Sequence, residues 1–174
     1  RSPARFDTAK LDSVNGHYLR ERPDDDLVRL VAPLLEADGH TLGVKERVRL
    51  RAAMGGLKQR ARTLVELANN ATFLVQARPL PVDAKAAKLL DETGRERLGA
   101  EPFDEATLEA AARAAAEAQA VGFGKLAQPL RAALTGRAVS PGIFEVMTAL
   151  GRDAVLARLE DAAAGRNPAL QQND

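Results

Sequence analysis

Lys125-Leu126-Ala127-Gln128-Pro129-Leu130-Arg131-Ala132-Ala133-Leu134-Thr135-Gly136, followed by Ser140-Pro141-Gly142-Ile143-Phe144, is the stretch that decides the fold. Residues 125–135 carry apolar side chains at helical spacing, and Gly136 is a stop signal. Ser140 reads as an N-cap with Pro141 at the first helical position, where a missing N–H costs nothing. Ile143, Val146, Met147 and Leu150 then make one apolar stripe. Gly151 ends that helix, and Val155, Leu156 and Leu159 open the last one before a polar tail from about residue 165.

The same period runs toward the N-terminus. After Asp24-Asp25-Asp26, which suit the positive end of a helix dipole, Leu27, Leu30, Val31, Leu34 and Leu35 fall on one face. Pro33 is expected to kink this helix and Gly39 to end it. Two further helices are predicted over residues 45–54 and 57–68, broken at Gly55-Gly56, with Leu57, Ala61, Leu64 and Ala68 facing the core. Arg78-Pro79-Leu80-Pro81 is a break, because two prolines cannot share a helix interior. Helix resumes over 83–90, and Gly94 and Gly99 punctuate the next stretch. Asp104 caps an alanine-rich helix over 105–119, with Phe103 and Leu108 spaced as a hydrophobic staple. No five-residue run alternates like a strand. The expected fold is all-α, in two helical subdomains, 1–76 and 77–174.

Composition narrows the chemistry. The chain has 174 residues, 45% apolar and 28% charged, the balance of a folded globular domain. Twenty-five basic and 24 acidic residues leave a net charge of +1, too little to grip nucleic acid or membrane by bulk charge. With no cysteine there is no disulfide scaffold, cysteine nucleophile or thiolate metal site. His17 and His40 are isolated, and Asp24-Asp25-Asp26 is better read as a helix start than as a cation site. No metal site and no catalytic residue is assigned. Motifs of hydrolases, P-loop enzymes, zinc proteases and dinucleotide binders are missing. No apolar run is long enough to span a membrane and no secretory signal is visible, so a cytoplasmic location is expected. The opening Arg1-Ser2-Pro3 suggests a piece of something longer. Together these features describe a binding module.

Charge is concentrated locally. Between residues 45 and 62 stand Lys45, Arg47, Arg49, Arg51, Lys58, Arg60 and Arg62, against the single acid Glu46. Such a run is either a solvated helix face or a surface for the nucleic-acid backbone. At 100° per residue on the helix over 57–68, Arg60 flanks the Leu57–Leu64 stripe, as a base-reading residue or an ordinary arginine snorkelling over the core edge, and Arg62 points to solvent. A flanking arginine has a packed stem and an aimed planar fork, the placement a base-reading residue needs. The 125–150 segment is either a plain αα-hairpin or a DNA-binding helix-turn-helix. Its second helix carries only Glu145 as a charge, which argues against duplex DNA.

Residues 125–144, with Glu145-Val146-Met147 and Leu150-Gly151-Arg152, closely resemble the C-terminal region of bacterial glutamyl-tRNA synthetases. Phe6-Asp7, Lys10-Leu11, Asn15-Gly16 and Tyr18-Leu19-Arg20 resemble the stretch that follows the catalytic portion of that family. The two blocks match in order and spacing across essentially the whole chain. One departure is Ser13, where many members have tryptophan, which implies a local repacking.

The resemblance implies an α-helical cage of two subdomains, the anticodon-binding half of a class I synthetase, with residues 1–76 on the tRNA stem-contact side. The family's ATP and glutamate sites lie in a separate N-terminal domain whose two signature motifs are not here. The fragment is therefore expected neither to aminoacylate nor to hold a cofactor, while the parent would use ATP and Mg. In the family an arginine reads the third anticodon base, cytosine in glutamate tRNA and guanine in glutamine tRNA; Arg60 falls on it. Around the C-terminal block, Arg131, Ser140, Pro141 and Ile143 fall on the positions that bind the first two bases. Lys45, Arg47, Arg49, Arg51 and Lys58 are candidate backbone contacts. Unstacked bases can be read on their edges by an arginine or serine and packed on an isoleucine. The expected partner of this monomeric piece is glutamate tRNA, with no DNA and no membrane. The alternatives are a paralogue that charges glutamine tRNA with glutamate, or a helical protein-interaction module without tRNA binding.

Overall fold

The computed structural model describes residues 8–80, 102–118 and 120–166. The described elements are all helical: α1 (Thr8–Glu21), α2 (Asp24–Ala37), α3 (Val44–Lys58), α4 (Leu64–Val75), α5 (Glu105–Ala118), α6 (Phe123–Thr135), α7 (Ile143–Leu150) and α8 (Arg152–Ala163). The expected helix over 83–90 and the glycines at 94 and 99 lie outside the described residues. The chain divides into two compact units, Arg1–Val75 and Gln76–Asp174.

In the first unit α2, α3 and α4 pack on one another and α1 lies against α3. The predicted α2 stripe is buried at Leu27, Val31 and Leu35, while Leu30 is exposed. It meets Leu50, Ala53, Met54 and Leu57 of α3 and Leu67, Ala68, Ala71 and Leu74 of α4 in the buried interior. The acidic start of α2 is not simply solvated. Asp24 pairs with Lys58 at 2.7 Å, Asp25 with Arg51 at 2.7 Å, and Asp26 with Arg29.

The expected break at Gly55-Gly56 is not there. α3 runs through both glycines to Lys58, and the chain leaves the helix over residues 59–63. A helical glycine costs about 1 kcal/mol relative to alanine. Burying Met54 and Leu57 returns about 1.5–3 kcal/mol each, so the helix wins. The next start is fixed by Thr63, whose Oγ1 accepts the Glu66 N–H at 3.0 Å, while Glu66 Oε2 accepts the Arg62 N–H at 2.8 Å. Arg60 therefore stands in a connection and not on a helix. Helical phase does not separate it from Arg62.

In the second unit α6 touches α5, α7 and α8, and α7 also packs on α5 and α8. Asp104 caps α5 as expected, its Oδ1 accepting the Thr107 N–H at 2.8 Å. The core gathers Leu108, Leu126, Leu130, Leu134, Val146, Met147, Val155 and Leu159. α6 ends at Gly136, whose left-handed backbone (φ +67°) lets its N–H return to the Ala132 carbonyl at 2.8 Å. Buried Arg158 on α8 donates from Nη1 to the Leu134 carbonyl at 2.5 Å, satisfying another acceptor of that last turn. Asp161 accepts from Arg78 at 2.8 Å and Arg166 at 3.0 Å, which fastens residues on either side of α8 to it.

The start of α7 also departs from the expectation. The helix begins at Ile143 with Gly142 as its N-cap and no side-chain cap. Ser140 is not the cap and Pro141 is not the first helical residue. The Ser140 hydroxyl is held elsewhere, and Gly142 makes the extended entry (ψ 136°) in their place.

Candidate nucleic-acid interface

The turn between α6 and α7 is built around one guanidinium. Arg131, on α6, donates from Nη1 to the Pro141 carbonyl at 2.8 Å, to the Ser140 carbonyl at 3.2 Å, and to Ser140 Oγ. The Ser140 hydroxyl donates in turn to the Pro141 carbonyl at 2.9 Å. The buried Thr135 hydroxyl donates to the Arg131 carbonyl at 2.8 Å and accepts the Arg137 N–H at 3.2 Å. Charge-assisted bonds of this type are about twice as strong as neutral ones, so Arg131 fixes the path of residues 136–142.

This arrangement brings Arg131, Ser140 and Pro141 together. Ile143 is next to them in sequence but 5% exposed, and Pro141 is buried as well. The apolar side chain this turn presents to solvent is Val139, 77% exposed, which sequence reasoning passed over. Its signal was its position: a lone β-branched residue between a helix stop and a serine-proline pair. The first turn of α7 has no side-chain cap, which leaves backbone donors beside the turn.

The second candidate region lies on α3 and the connection after it. Most of its cations are already matched. Arg47 pairs with Glu36 at 2.9 Å, Arg51 with Asp25, and Lys58 with Asp24 as well as the Arg22 carbonyl at 3.2 Å. Lys45 and Arg47 are exposed and Arg49 is partly buried. Arg60 is exposed, and its Nη1 donates to the Gly56 carbonyl at 3.0 Å. Its own carbonyl accepts from Asn70 Nδ2 at 3.4 Å. Arg62 leans on Glu66 at 3.4 Å. The Arg62 backbone N–H, with its guanidinium, holds the Glu66 carboxyl below the usual carboxylate range. On α1, buried Gly16 faces the 61–62 backbone, where an added Cβ would lie 3.5 Å from the Arg62 Cα.

Two turns on an all-helical frame, one shaped by the Arg131 guanidinium and one carrying exposed Arg60, are the candidate contact surfaces of a binding module. Comparison with known proteins gives the family. Residues 26–163 match the model of the anticodon binding domain. The chain is 51% identical over 180 residues to glutamate–tRNA ligase 2 of Paramagnetospirillum magneticum, covering 97% of this chain and 37% of that protein. It is 52% identical over 173 residues to glutamate–tRNA ligase 1 of Sphingopyxis alaskensis, covering 93% and 35%. A solved glutamate–tRNA synthetase from Elizabethkingia anophelis shares the fold, with a TM-score of 0.75 at 23% identity over 94% of this chain and 33% of that one. The chain belongs to the anticodon-binding domain family of glutamate–tRNA ligases. It spans a little over a third of the length of the curated relatives it matches.

Proposed function

We propose that the chain binds glutamate tRNA by its anticodon loop, as part of a longer enzyme that joins glutamate to tRNA with ATP in the cytoplasm. The observation that supports this most is the Arg131 clasp on Ser140 and Pro141, in a chain of the anticodon-binding family. In this reading residues 77–174 bind the first and second anticodon bases through the turn that Arg131 shapes. Residues 1–76 lie on the stem-contact side and meet the third base at Arg60. An exposed guanidinium in a connection held by Gly56 and Asn70 has a defined origin and a free approach. Its planar fork suits a base edge better than a lysine would. Ile143, 5% exposed, is buried at the start of α7 and offers a base little open surface.

Among the described residues nothing gathers for Mg, and the reading places no step of ATP chemistry on them. No described helix is long and apolar enough to cross a membrane.

A competition titration tests the proposal. The competitors are glutamate tRNA, glutamine tRNA, and a glutamate tRNA whose third anticodon cytosine is changed to guanine. The expected result is preference for unaltered glutamate tRNA. Preference for glutamine tRNA would favour the paralogue, and no binding at low salt would favour a protein-interaction module.

A further inference from the structure

The α6–α7 turn holds an arginine that neither the sequence nor the proposed anticodon contacts used. Arg137 is partly buried, and among the described residues its guanidinium makes no hydrogen bond or ion pair. Its backbone is fixed all the same. The Arg137 N–H donates to Thr135 Oγ1 at 3.2 Å, and the same hydroxyl bonds the Arg131 carbonyl at 2.8 Å. Arg137 thus starts from a set place between the left-handed Gly136 and the Ser140-Pro141 corner that Arg131 holds. Burial alone pushes its guanidinium pKa down from the ordinary value, the mark of a charge stripped of water without a carboxylate in return. Two residues on, Val139 offers an open apolar surface.

We propose that Arg137 binds a backbone phosphate of the anticodon loop, with Val139 packing against the base of the neighbouring nucleotide. This rests on the anticodon reading above. A guanidinium fork matches a phosphate with two parallel hydrogen bonds, and a phosphate supplies the counter-charge this side chain lacks. Base identity plays no part in such a contact. Arg137 therefore adds affinity to every anticodon equally, while recognition of the bases stays with the Arg131 corner and Arg60.

The test measures binding of the chain to a glutamate tRNA transcript and its anticodon variants across a salt series, for wild type, Arg137→Gln and Arg137→Lys. Arg137→Gln is expected to lose on the order of tenfold in affinity at low salt. The loss should be the same for every anticodon, and the slope of log K against log salt should fall by about one. Arg137→Lys keeps the charge and should restore the slope, which a purely structural role would not require. Wild-type discrimination between anticodons with an unchanged Arg137→Gln slope would overturn this inference alone. A base-specific loss would overturn it too, by making Arg137 a base reader. Absence of any tRNA binding by wild type at low salt would overturn the anticodon reading and this inference with it.

Discussion

Arg60 and Arg62 stand two residues apart in one connection, yet their settings differ. Among the described residues the Arg60 side chain bonds the Gly56 carbonyl alone, whereas Arg62 is engaged with Glu66 by both its backbone and its guanidinium. Arg60→Ala is therefore expected to lose about 1–3 kcal/mol of discrimination at the third anticodon base. Arg62→Ala should weaken binding less and without base preference. Equal losses for the cytosine and guanine variants would contradict the role given to Arg60. Glu66 carries a pH consequence. Its carboxyl is held below the ordinary value of 4.5, chiefly by the Arg62 N–H. A depressed carboxylate stabilises the fold above its ordinary pKa and loses that contribution as pH falls through the lowered one. In thermal melts, the gap between wild type and Glu66→Gln should be full above the ordinary carboxylate value of 4.5 and shrink as the pH falls below it. A gap that widens with acid would contradict the assignment. Neither contact with Glu66 needs distant residues; Thr63-Leu64-Val65-Glu66 has the spacing of a capping box, a local signal that a single helix over 57–68 passes over.

Among the helices, α3 runs past the break expected at Gly55-Gly56. Read from sequence alone, two adjacent glycines outweigh a continuing apolar stripe, which puts the break four residues early. Gly55 is exposed, and an added Cβ would meet nothing within 4 Å. Gly55→Ala should therefore stabilise the chain by about 0.5–1 kcal/mol in urea unfolding. Destabilisation of that size would mean that the helix does break there. Gly136→Ala should instead destabilise by about 1–2 kcal/mol, because φ +67° is disfavoured once a Cβ is present. α2, α5, α6, α7 and α8 are readable because each buries a stripe at helical spacing. α1 is not, because only Gly16 and Leu19 are buried among its described side chains, while Leu11, Val14 and Tyr18 face outward. The start of α7 is misjudged by two residues for a different reason. Ser140 has the chemistry of a cap, but a side chain nine residues away, Arg131, holds it in the turn. Local rules do not contain that contact.

For the whole molecule, the net charge of +1 conceals how the charges are spent. The basic run on α3 is visible in the sequence; its neutralisation by Asp24, Asp25 and Glu36 is not, since the pairs join residues 11 to 34 positions apart or cross between helices. Those pairs bear on the proposed backbone contacts. Arg47, Arg51 and Lys58 must exchange a carboxylate for a phosphate, which yields less than an unpaired cation would gain. Binding of tRNA should thus show a shallow salt dependence, with a log–log slope of about −2 to −4. A slope steeper than about −6 would mean that these cations already stand free of their carboxylates before tRNA binds. We place recognition in the two short connections that follow α3 and α6. Hydrogen exchange of the chain's backbone amides, with and without saturating glutamate tRNA, tests it most directly. Protection is expected in residues 59–63 and 136–143. Protection confined to other segments, or none under saturating tRNA, would contradict it.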